Sequence, residues 1–332
     1  MPRTLALFGA SLLFCAALGE VGLRAAGFAP PAIGAAPATA SRDAFQWAEP
    51  DPVVGWLNRP GVQHWPSPDA APMTFLADHR RASFAGDTKP ARARVVLIGC
   101  SYSAGLGIAD ADTFAWRLNA ALPDARIENH ATSGWSTWQA LRRTAQILVE
   151  AREPPALVVY AYMGNHDQRN VARYEWLEGL QAARPGTHLV PPHVTLESDR
   201  LVEHPMQVLE PWPLEGRSAS IALAHDLALR IAYWRSPEMR REVTRRLLVR
   251  FDEQVRAAGS RFLVALLADV DPEAGLDHFL SDHGIAHVDC QLPDWRDDAS
   301  LHLPHDIHPS ALAHARWAAC LRDPVVRSLA VE

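Results

Sequence analysis

The chain has 332 residues, of which 48% are hydrophobic and 21% are charged. This length and composition support a sizeable buried core and exclude a chain that is disordered throughout. The formal net charge of −6 provides no basic field for a phosphate backbone, so we expect no nucleic-acid partner.

The N-terminal segment, residues 1–28, carries an apolar run from Leu5 to Leu18 behind one arginine. This run has the length of a signal-peptide core, and an extension to Leu23 approaches the roughly 20 residues that cross a bilayer. Glu20 would then lie near the interface, where a charge costs less. Because no clean small-x-small cleavage site follows, the sequence favours an uncleaved membrane anchor over a cleaved signal. Both alternatives export the rest of the chain.

Two further segments precede the main pattern of strands and helices. Residues 29–44 are rich in proline and alanine and have no periodic face, which is typical of a linker. Residues 45–90 contain short extended pieces broken by prolines, which predict a small β layer.

The four cysteines have neither a metal-ligand spacing nor a dense disulfide pattern. Cys15 belongs to the apolar N-terminal run, and Cys100 follows a predicted strand. Only Cys290 and Cys320 could pair, and the sequence favours free thiols at both positions.

From residue 95 onward, strands alternate with helices. The predicted strands are 95–98, 126–131, 156–163, 261–268 and 285–290. The predicted helices are 113–122, 137–151, 221–258 with a break near Ser236 and Pro237, a stretch near 273–283, and 309–323, opened by Pro309. Residues 170–220 read as an irregular insertion. This alternation predicts a parallel sheet covered by helices on both faces, with its functional groups beyond the carboxyl ends of the strands.

Ser101 lies at the carboxyl end of the first of these strands, where a hydroxyl adds nothing to a core. Serine is a weak nucleophile until a base takes its proton, so the residue alone could equally cap the following helix. Gly134, after the second strand, stands before a helix where its N–H could face an oxyanion together with that of Ser101. A tight turn would also require a glycine there.

Asp306 and His308 precede the last predicted helix with one residue between them. This spacing lets a carboxylate orient an imidazole from the same short loop. A different interpretation is a metal site built on His302, His305 and His308, but Pro304 and Pro309 oppose the helix that would align the three imidazoles.

Three blocks of this sequence resemble the SGNH/GDSL hydrolases: "IGCSYSAGLGIADADTF" around Ser101, "NHATSGWSTWQ" around Gly134, and "HDIHPSALAH" around His308. The preceding "DPVVGWLNRP" looks like the lead-in of membrane-anchored bacterial members. The resemblance spans roughly residues 50–325. It implies a flavodoxin-like three-layer α/β/α sandwich with a mainly parallel five-stranded sheet, in a hydrolase-like domain over residues 45–328.

By that resemblance, Ser101 is the nucleophile, His308 the general base and Asp306 the residue that orients it. The N–H groups of Ser101 and Gly134 would form part of the oxyanion hole. The family completes the hole with an asparagine in a Gly-x-Asn-Asp block. Here "YMGNHDQRN" departs from that block, because Asn165 directly follows the glycine and His166 stands where the asparagine is expected. The sequence favours Asn165 slightly over His166.

Together these features predict a serine esterase that removes acyl groups, such as acetyl, from a glycan or another envelope substrate through an acyl-enzyme. Neither a cofactor nor a metal is implied. The partners expected are an acylated small molecule or glycan and, through the N-terminal helix, the bacterial inner membrane, with the catalytic domain in the periplasm. Secretion after signal cleavage is the alternative location.

Two other functions stay open at this stage. A polysaccharide O-acetyltransferase would use the same serine, histidine and aspartate, and a glycan-binding domain could keep the fold without activity. Three tryptophans, Trp135, Trp138 and Trp176, could border the site and stack on sugars, although core packing explains each of them more simply.

Overall fold

A computed structural model describes residues 2–31, 48–67, 70–86, 89–183, 188–304 and 306–330. Most of the predicted linker 29–44 and the edges of the predicted layer 45–90 therefore lie outside the described residues, as does His305.

The strands are as follows: β1 Ala48–Asp51, β2 Gly55–Asn58, β3 Gly61–His64, β4 Pro72–Phe75, β5 Ala93–Ile98, β6 Ala125–Asn129, β7 Leu157–Met163, β8 His188–Val190, β9 His193–Glu197, β10 Arg200–His204, β11 Gln207–Leu209, β12 Arg261–Ala268 and β13 His287–Asp289.

The α-helices are as follows: α1 Pro2–Ala25, α2 Ser101–Ala104, α3 Phe114–Ala121, α4 Thr137–Glu150, α5 Asn165–Asn170, α6 Tyr174–Ala183, α7 Ala219–Ala232, α8 Pro237–Ala257, α9 Leu276–Asp282 and α10 Ala311–Ala330. Short 3-10 turns occupy Asp110–Asp112, Pro272–Ala274 and Ala299–Leu301.

The chain divides into two compact units. The small unit comprises Met1–Ala44, Ala172–Pro191 and Met206–Arg235. The sheet unit comprises Phe45–Val171, Pro192–Pro205 and Ser236–Glu332.

The centre of the sheet unit is a five-stranded sheet in the order β13-β12-β7-β5-β6. Every neighbouring pair is parallel, as in the registers Val95 with Ile127 and Val95 with Leu157. Numbered by their order in the chain, the five strands lie 2-1-3-4-5, the flavodoxin-like arrangement. Helices α3 and α10 cover one face, and α4, α5 and α8 the other. The predicted three-layer α/β/α sandwich is confirmed.

The predicted β layer consists of two antiparallel hairpins, β1 with β2 and β3 with β4. Arg81, just after the second hairpin, forms single bridges with Phe75 and with Asn129 at the end of β6. The hairpin layer is thus tied to the edge of the central sheet where β6 ends.

Most elements agree with the sequence pattern, because their apolar periodicity is strong. The last helix differs. It begins at Ala311 rather than Pro309, since Pro309 forms a bridge with His302, and it continues through Pro324 to Ala330. Segment 170–220 is not irregular: it contains α6 and four short strands in antiparallel pairs, β9 with β10 and β8 with β11. The strands β8 and β11 have only three residues each, too few for an alternating pattern to be detected in the sequence.

The cysteine expectation is wrong at one pair. Cys290, directly after β13, and Cys320 in α10 form a disulfide with their Cα atoms 5.8 Å apart. The pairing needs the last helix to pack back onto the edge strand, and sequence spacing does not show that packing.

None of the helices that the structure describes combines the length with the apolar composition needed to cross a membrane.

Candidate active site

Ser101 begins α2 three residues after β5 ends, at the carboxyl edge of the central sheet. The residue is buried, at 3% exposure. The turn between strand and serine requires glycine at position 99, because a Cβ there would lie 2.4 Å from the Ser103 hydroxyl and 2.9 Å from the Ala161 carbonyl oxygen. Gly99 therefore lets the serine segment pass close over β7.

Cys100 packs inward as a small buried residue. It is 1% exposed, and its sulfur lies 3.2 Å from that of Met163.

The loop before α10 brings Asp306 and His308 together. One Asp306 carboxylate oxygen, Oδ1, lies 2.6 Å from His308 Nδ1 and accepts the His308 backbone N–H at 2.9 Å. A carboxylate only accepts, so Nδ1 carries a proton, and in the neutral imidazole Nε2 then keeps its lone pair. The bond from His308 and a second from Trp65 hold the pKa of Asp306 well below its usual range.

Trp65, which follows β3, is a component of the site that sequence reasoning missed. Its indole Nε1 donates to the other Asp306 oxygen, Oδ2, at 2.6 Å. Its ring lies edge-on to the His308 imidazole, with centroids 4.9 Å apart. The carboxylate is thus held through both oxygens. Nothing in the sequence near Trp65 relates it to a loop 241 positions away.

Tyr102 connects the serine segment to the histidine loop. Its hydroxyl donates to the Ile307 carbonyl oxygen at 3.1 Å, and its ring lies 5.7 Å from the His308 imidazole, centroid to centroid. Burial raises the pKa of this phenol, so the hydroxyl stays protonated and remains a donor. The residue next to Ser101 thereby contacts the loop that carries Asp306 and His308.

Gly134 lies in the turn between β6 and α4. Its φ of +78° is in the left-handed region that favours glycine, so the tight-turn requirement is met. The Thr132 N–H donates to the Gly99 carbonyl at 3.2 Å, which joins this turn to the serine segment. Within the described part of the chain, neither the Ser101 nor the Gly134 amide donates to a backbone carbonyl. Both N–H groups therefore have the capacity that an oxyanion donor needs.

Arg169 supports the same turn and was also missed. Its guanidinium is largely buried and donates to the Trp135 carbonyl oxygen at 3.3 Å. Because Trp135 directly follows Gly134, this buried cation fixes the backbone that carries the candidate Gly134 amide.

Asn165 and His166 open α5 and differ sharply in environment. Asn165 is partly exposed, and its side-chain oxygen accepts a hydrogen bond from Gln168 at 3.0 Å. His166 is fully buried, with Nδ1 2.6 Å from the Tyr160 hydroxyl and its ring stacked on that of Tyr160. Burial lowers the pKa of His166 well below its usual value, so the ring is neutral. His166 therefore packs into the layer beside the sheet.

Arg81 fixes the loop that follows the serine helix. This fully buried arginine pairs with Asp110 at 2.7 Å. It also donates to three carbonyl oxygens of the loop, those of Ala104, Gly105 and Ile108. Charged residues are rarely buried unless they are paired, and the contacts of Arg81 provide this pairing. Through Arg81 the hairpin layer therefore stabilises the loop that follows Ser101.

The tryptophans expected to border the site do not all do so. Trp135 is fully buried and donates to the Trp56 carbonyl oxygen, and Trp138 is 4% exposed. Both belong to the core, as the simpler interpretation holds. Trp176 lies in α6 of the small unit.

The three-histidine interpretation has little support in the described residues. Both His302 ring nitrogens lie against carbonyl oxygens, Nε2 at 2.5 Å from that of Trp295 and Nδ1 at 3.2 Å from that of Ile307. His308 is engaged by Asp306. Among residues with a described position, no three potential ligands come together.

Solved structures that resemble this chain include a lipolytic protein and several esterases. One is a lipolytic protein of the G-D-S-L family from Veillonella parvula DSM 2008, with 10% identity, a TM-score of 0.42, and coverage of 70% of this chain and 98% of that one. A second is the esterase EstA from a Pseudoalteromonas species, with 14% identity, a TM-score of 0.43, and coverage of 71% and 98%.

A third is the acetyl xylan esterase Est2A from Butyrivibrio proteoclasticus, with 12% identity, a TM-score of 0.40, and coverage of 74% of this chain and 66% of that one. The sequence matches no protein-family model, and no curated protein matches it. Identities and TM-scores at this level do not by themselves assign the chain to a family.

Proposed function

We propose that this protein is a serine esterase of the SGNH type, with Ser101 as nucleophile, His308 as general base and Asp306 as the residue that orients it. The observation that carries the proposal is the hydrogen-bonded pair of Asp306 and His308. The His308 ring of this pair contacts Tyr102, the residue next to Ser101. Two observations support the proposal: Ser101 lies at the carboxyl edge of the parallel sheet, where functional groups of such sheets lie, and Tyr102 bonds to the loop of Asp306 and His308.

The reaction proceeds through an acyl-enzyme. His308 Nε2 takes the proton of the Ser101 hydroxyl while Oγ bonds to the ester carbonyl carbon. The resulting oxyanion accepts hydrogen bonds from the Ser101 and Gly134 amides, and Asn165 is the side chain better placed to add a third because His166 is enclosed. The bond from carbon to the leaving alkoxide then breaks, and His308 returns the proton to it.

Deacylation repeats these steps with water. His308 takes a proton from water, the hydroxide attacks the acyl carbon, and the acid leaves as Ser101 recovers its proton. Asp306 stays ionised throughout and stabilises the transient imidazolium. If a sugar hydroxyl replaces water, the same steps give the acyltransferase, so product analysis with and without an added glycan distinguishes the two.

We propose acyl esters of a glycan or another envelope substrate as the natural target, on the basis of the motif resemblance. The predicted export of the chain, with an anchor in the bacterial inner membrane, agrees with such a target.

The deciding experiment is acetate release from p-nitrophenyl acetate, with labelling by a fluorophosphonate. We expect turnover and labelling of the full chain and loss of both in Ser101→Ala. Ser103→Ala is the matched control, because Ser103 lies in the same short helix and its buried hydroxyl has no hydrogen-bond partner among the described atoms. If the unaltered protein neither turned over nor took the label, the catalytic proposal would fail, and glycan binding would be the function to test.

A further inference from the structure

Helix α7 of the small unit presents an apolar stripe to solvent. Leu223, Leu227, Ile231 and Trp234, the last just beyond the helix, are 38%, 55%, 71% and 64% exposed. Their spacing of four, four and three residues places them on one face. A contiguous exposed apolar patch of this kind marks an interaction surface in a folded protein.

Residues away from the stripe attach α7 to its own unit, so the stripe is not the face by which the helix packs there. His225 is buried and lies 2.6 Å from the buried carboxylate of Glu215, and its ring stacks on Trp212. Asp226 accepts a hydrogen bond from Tyr174 of α6. Polar groups therefore fix α7 to its own unit, and its apolar side remains available to a partner.

Helix α1 of the same unit also exposes apolar side chains. Glu20 accepts the backbone N–H groups of Ala219 and Ser220 at 2.9 Å each, so it caps the N-terminus of α7 and fixes α1 against it. No charged residue stands between Thr4 and Gly19. The α1 side chains Leu7, Phe8, Phe14, Leu18 and Val21 are all more than half exposed.

The ends of α7 have the composition of a helix that lies in a membrane interface. Trp234, the last residue of the stripe, lies just beyond the C-terminal end of α7 and is 64% exposed. Arg217 and Arg235 stand just before and just after the helix and supply a cation at each end. Tryptophan and arginine at the polar boundary of an apolar face favour the headgroup region of a bilayer with anionic lipids.

We propose that the exposed face of α7, residues Leu223, Leu227, Ile231 and Trp234, lies flat against an anionic lipid bilayer. A helix of 14 residues extends about 21 Å, less than the hydrocarbon thickness, so α7 rests on the membrane rather than crossing it. The surface belongs to the small unit, whereas the candidate catalytic residues belong to the sheet unit.

The test places an environment-sensitive NBD label on α7 of the full chain. In a Cys15→Ser background, Leu227→Cys provides a single accessible thiol, because Cys100 is buried and Cys290 and Cys320 are bonded to each other. We expect blue-shifted, brighter emission with vesicles of phosphatidylethanolamine and phosphatidylglycerol. The matched control is Val149→Cys in α4, which is 87% exposed, apolar and in the sheet unit, and whose label should not respond.

Two charge variants complete the design. Leu227→Glu combined with Ile231→Glu should weaken vesicle partitioning at least about tenfold, since each change places a carboxylate at the lipid contact. Val149→Glu should leave it unchanged. Retained p-nitrophenyl acetate turnover, if the unaltered chain shows it, and an unaltered circular dichroism spectrum establish that the variants fold.

Two results would overturn the proposal. If the protein sedimented with vesicles while the label at position 227 kept its emission in water, α7 would not contact lipid. If the label shifted without vesicles as protein concentration rose, and sedimentation equilibrium showed a dimer, the stripe would be an interface between two copies of this chain.

Discussion

A carboxylate that orients a histidine must itself be fixed in position. Asp306 is fixed by a second hydrogen bond, which the indole of Trp65 donates. Asp306 receives His308 on Oδ1 and Trp65 on Oδ2, both at 2.6 Å. Hydrogen bonds to an ionised acceptor are stronger than neutral ones, so Trp65 fixes the carboxylate plane against which the imidazole is aligned. Its ring also closes one side of His308.

Trp65→Phe tests that role at the residue scale. The phenyl ring keeps much of the apolar contact but removes the N–H donor, so we expect kcat for p-nitrophenyl acetate to fall about tenfold, or roughly 1.4 kcal/mol, with KM nearly unchanged. Trp116→Phe in α3 is the control. A raised KM at constant kcat would instead mean that Trp65 contacts substrate.

At the scale of elements, the backbone just after β7 approaches the backbone just after β12 so closely that no side chain fits at position 164. Gly164 donates its N–H to the Ala268 carbonyl oxygen at 3.0 Å, and a Cβ on Gly164 would lie 1.8 Å from the Asp269 carbonyl oxygen. The glycine of the "YMGNHDQRN" segment thus has a packing reason of its own, because it lets α5 start directly beside the neighbouring strand.

Gly164→Ala should therefore separate the two strand ends. We expect a loss of about 2–3 kcal/mol in the free energy of unfolding and impaired turnover, since Asn165 follows immediately. Urea unfolding measures the first effect. Gly179→Ala in α6 is the matched control: no atom lies within 4 Å of its added Cβ, and alanine suits a helix, so stability should hold or rise. Equal stability of the Gly164 variant would show that the strand ends yield without cost.

At the scale of the whole molecule, one disulfide closes the part of the sheet unit that carries the site. Cys290 and Cys320 enclose a loop of 30 positions that contains Asp306 and His308. Closing a loop of that size in the unfolded chain accounts for about 3–4 kcal/mol of stability in the chain-entropy model.

Reduction should accordingly lower the Tm of the protein and accelerate loss of activity on heating. A Cys290→Ser and Cys320→Ser double variant should start at the lower Tm and no longer respond to dithiothreitol. Cys15→Ser should behave as the unaltered chain. A Tm that reductant leaves unchanged, with free thiols confirmed by titration, would contradict a stabilising role.

The pH dependence of stability is also a property of the whole sheet unit. Glu128 of β6 is buried and contacts Arg94 of β5 at 2.8 Å and Arg80 of the hairpin layer at 3.3 Å. Burial raises its pKa, but His130 and Arg94 outweigh that effect and lower the pKa of Glu128 to about 2. The carboxylate therefore links the layer to the sheet in its ionised form.

Because the folded pKa lies below the ordinary value of 4.5, the stabilisation is complete above that value and is lost as pH falls toward about 2. We expect Glu128→Gln to lose roughly 3 kcal/mol at pH 7 and the difference from the unaltered chain to shrink between pH 4.5 and 2. Urea unfolding across this range measures it. A difference independent of pH would show that the ionised carboxylate is not responsible.

Local pattern was sufficient to predict the sandwich and to select the candidate catalytic residues. Apolar runs such as 95–98 and 261–268 alternate with amphipathic helices, and that alternation alone implies parallel strands with their carboxyl ends at one edge. The short spacing of Asp306 and His308 likewise predicts their contact, because both lie in one loop.

Contacts between residues distant in sequence were determined only by the tertiary structure. Trp65, Arg81 and the Cys290–Cys320 disulfide act across long separations, and no periodicity relates them to their partners. From the sequence alone, Glu20 is a charged residue whose insertion near a membrane interface is unfavourable. In the structure it instead caps the N-terminus of α7. A sequence determines the preference of each segment, whereas partners for buried charges and for helix ends exist only after the segments pack.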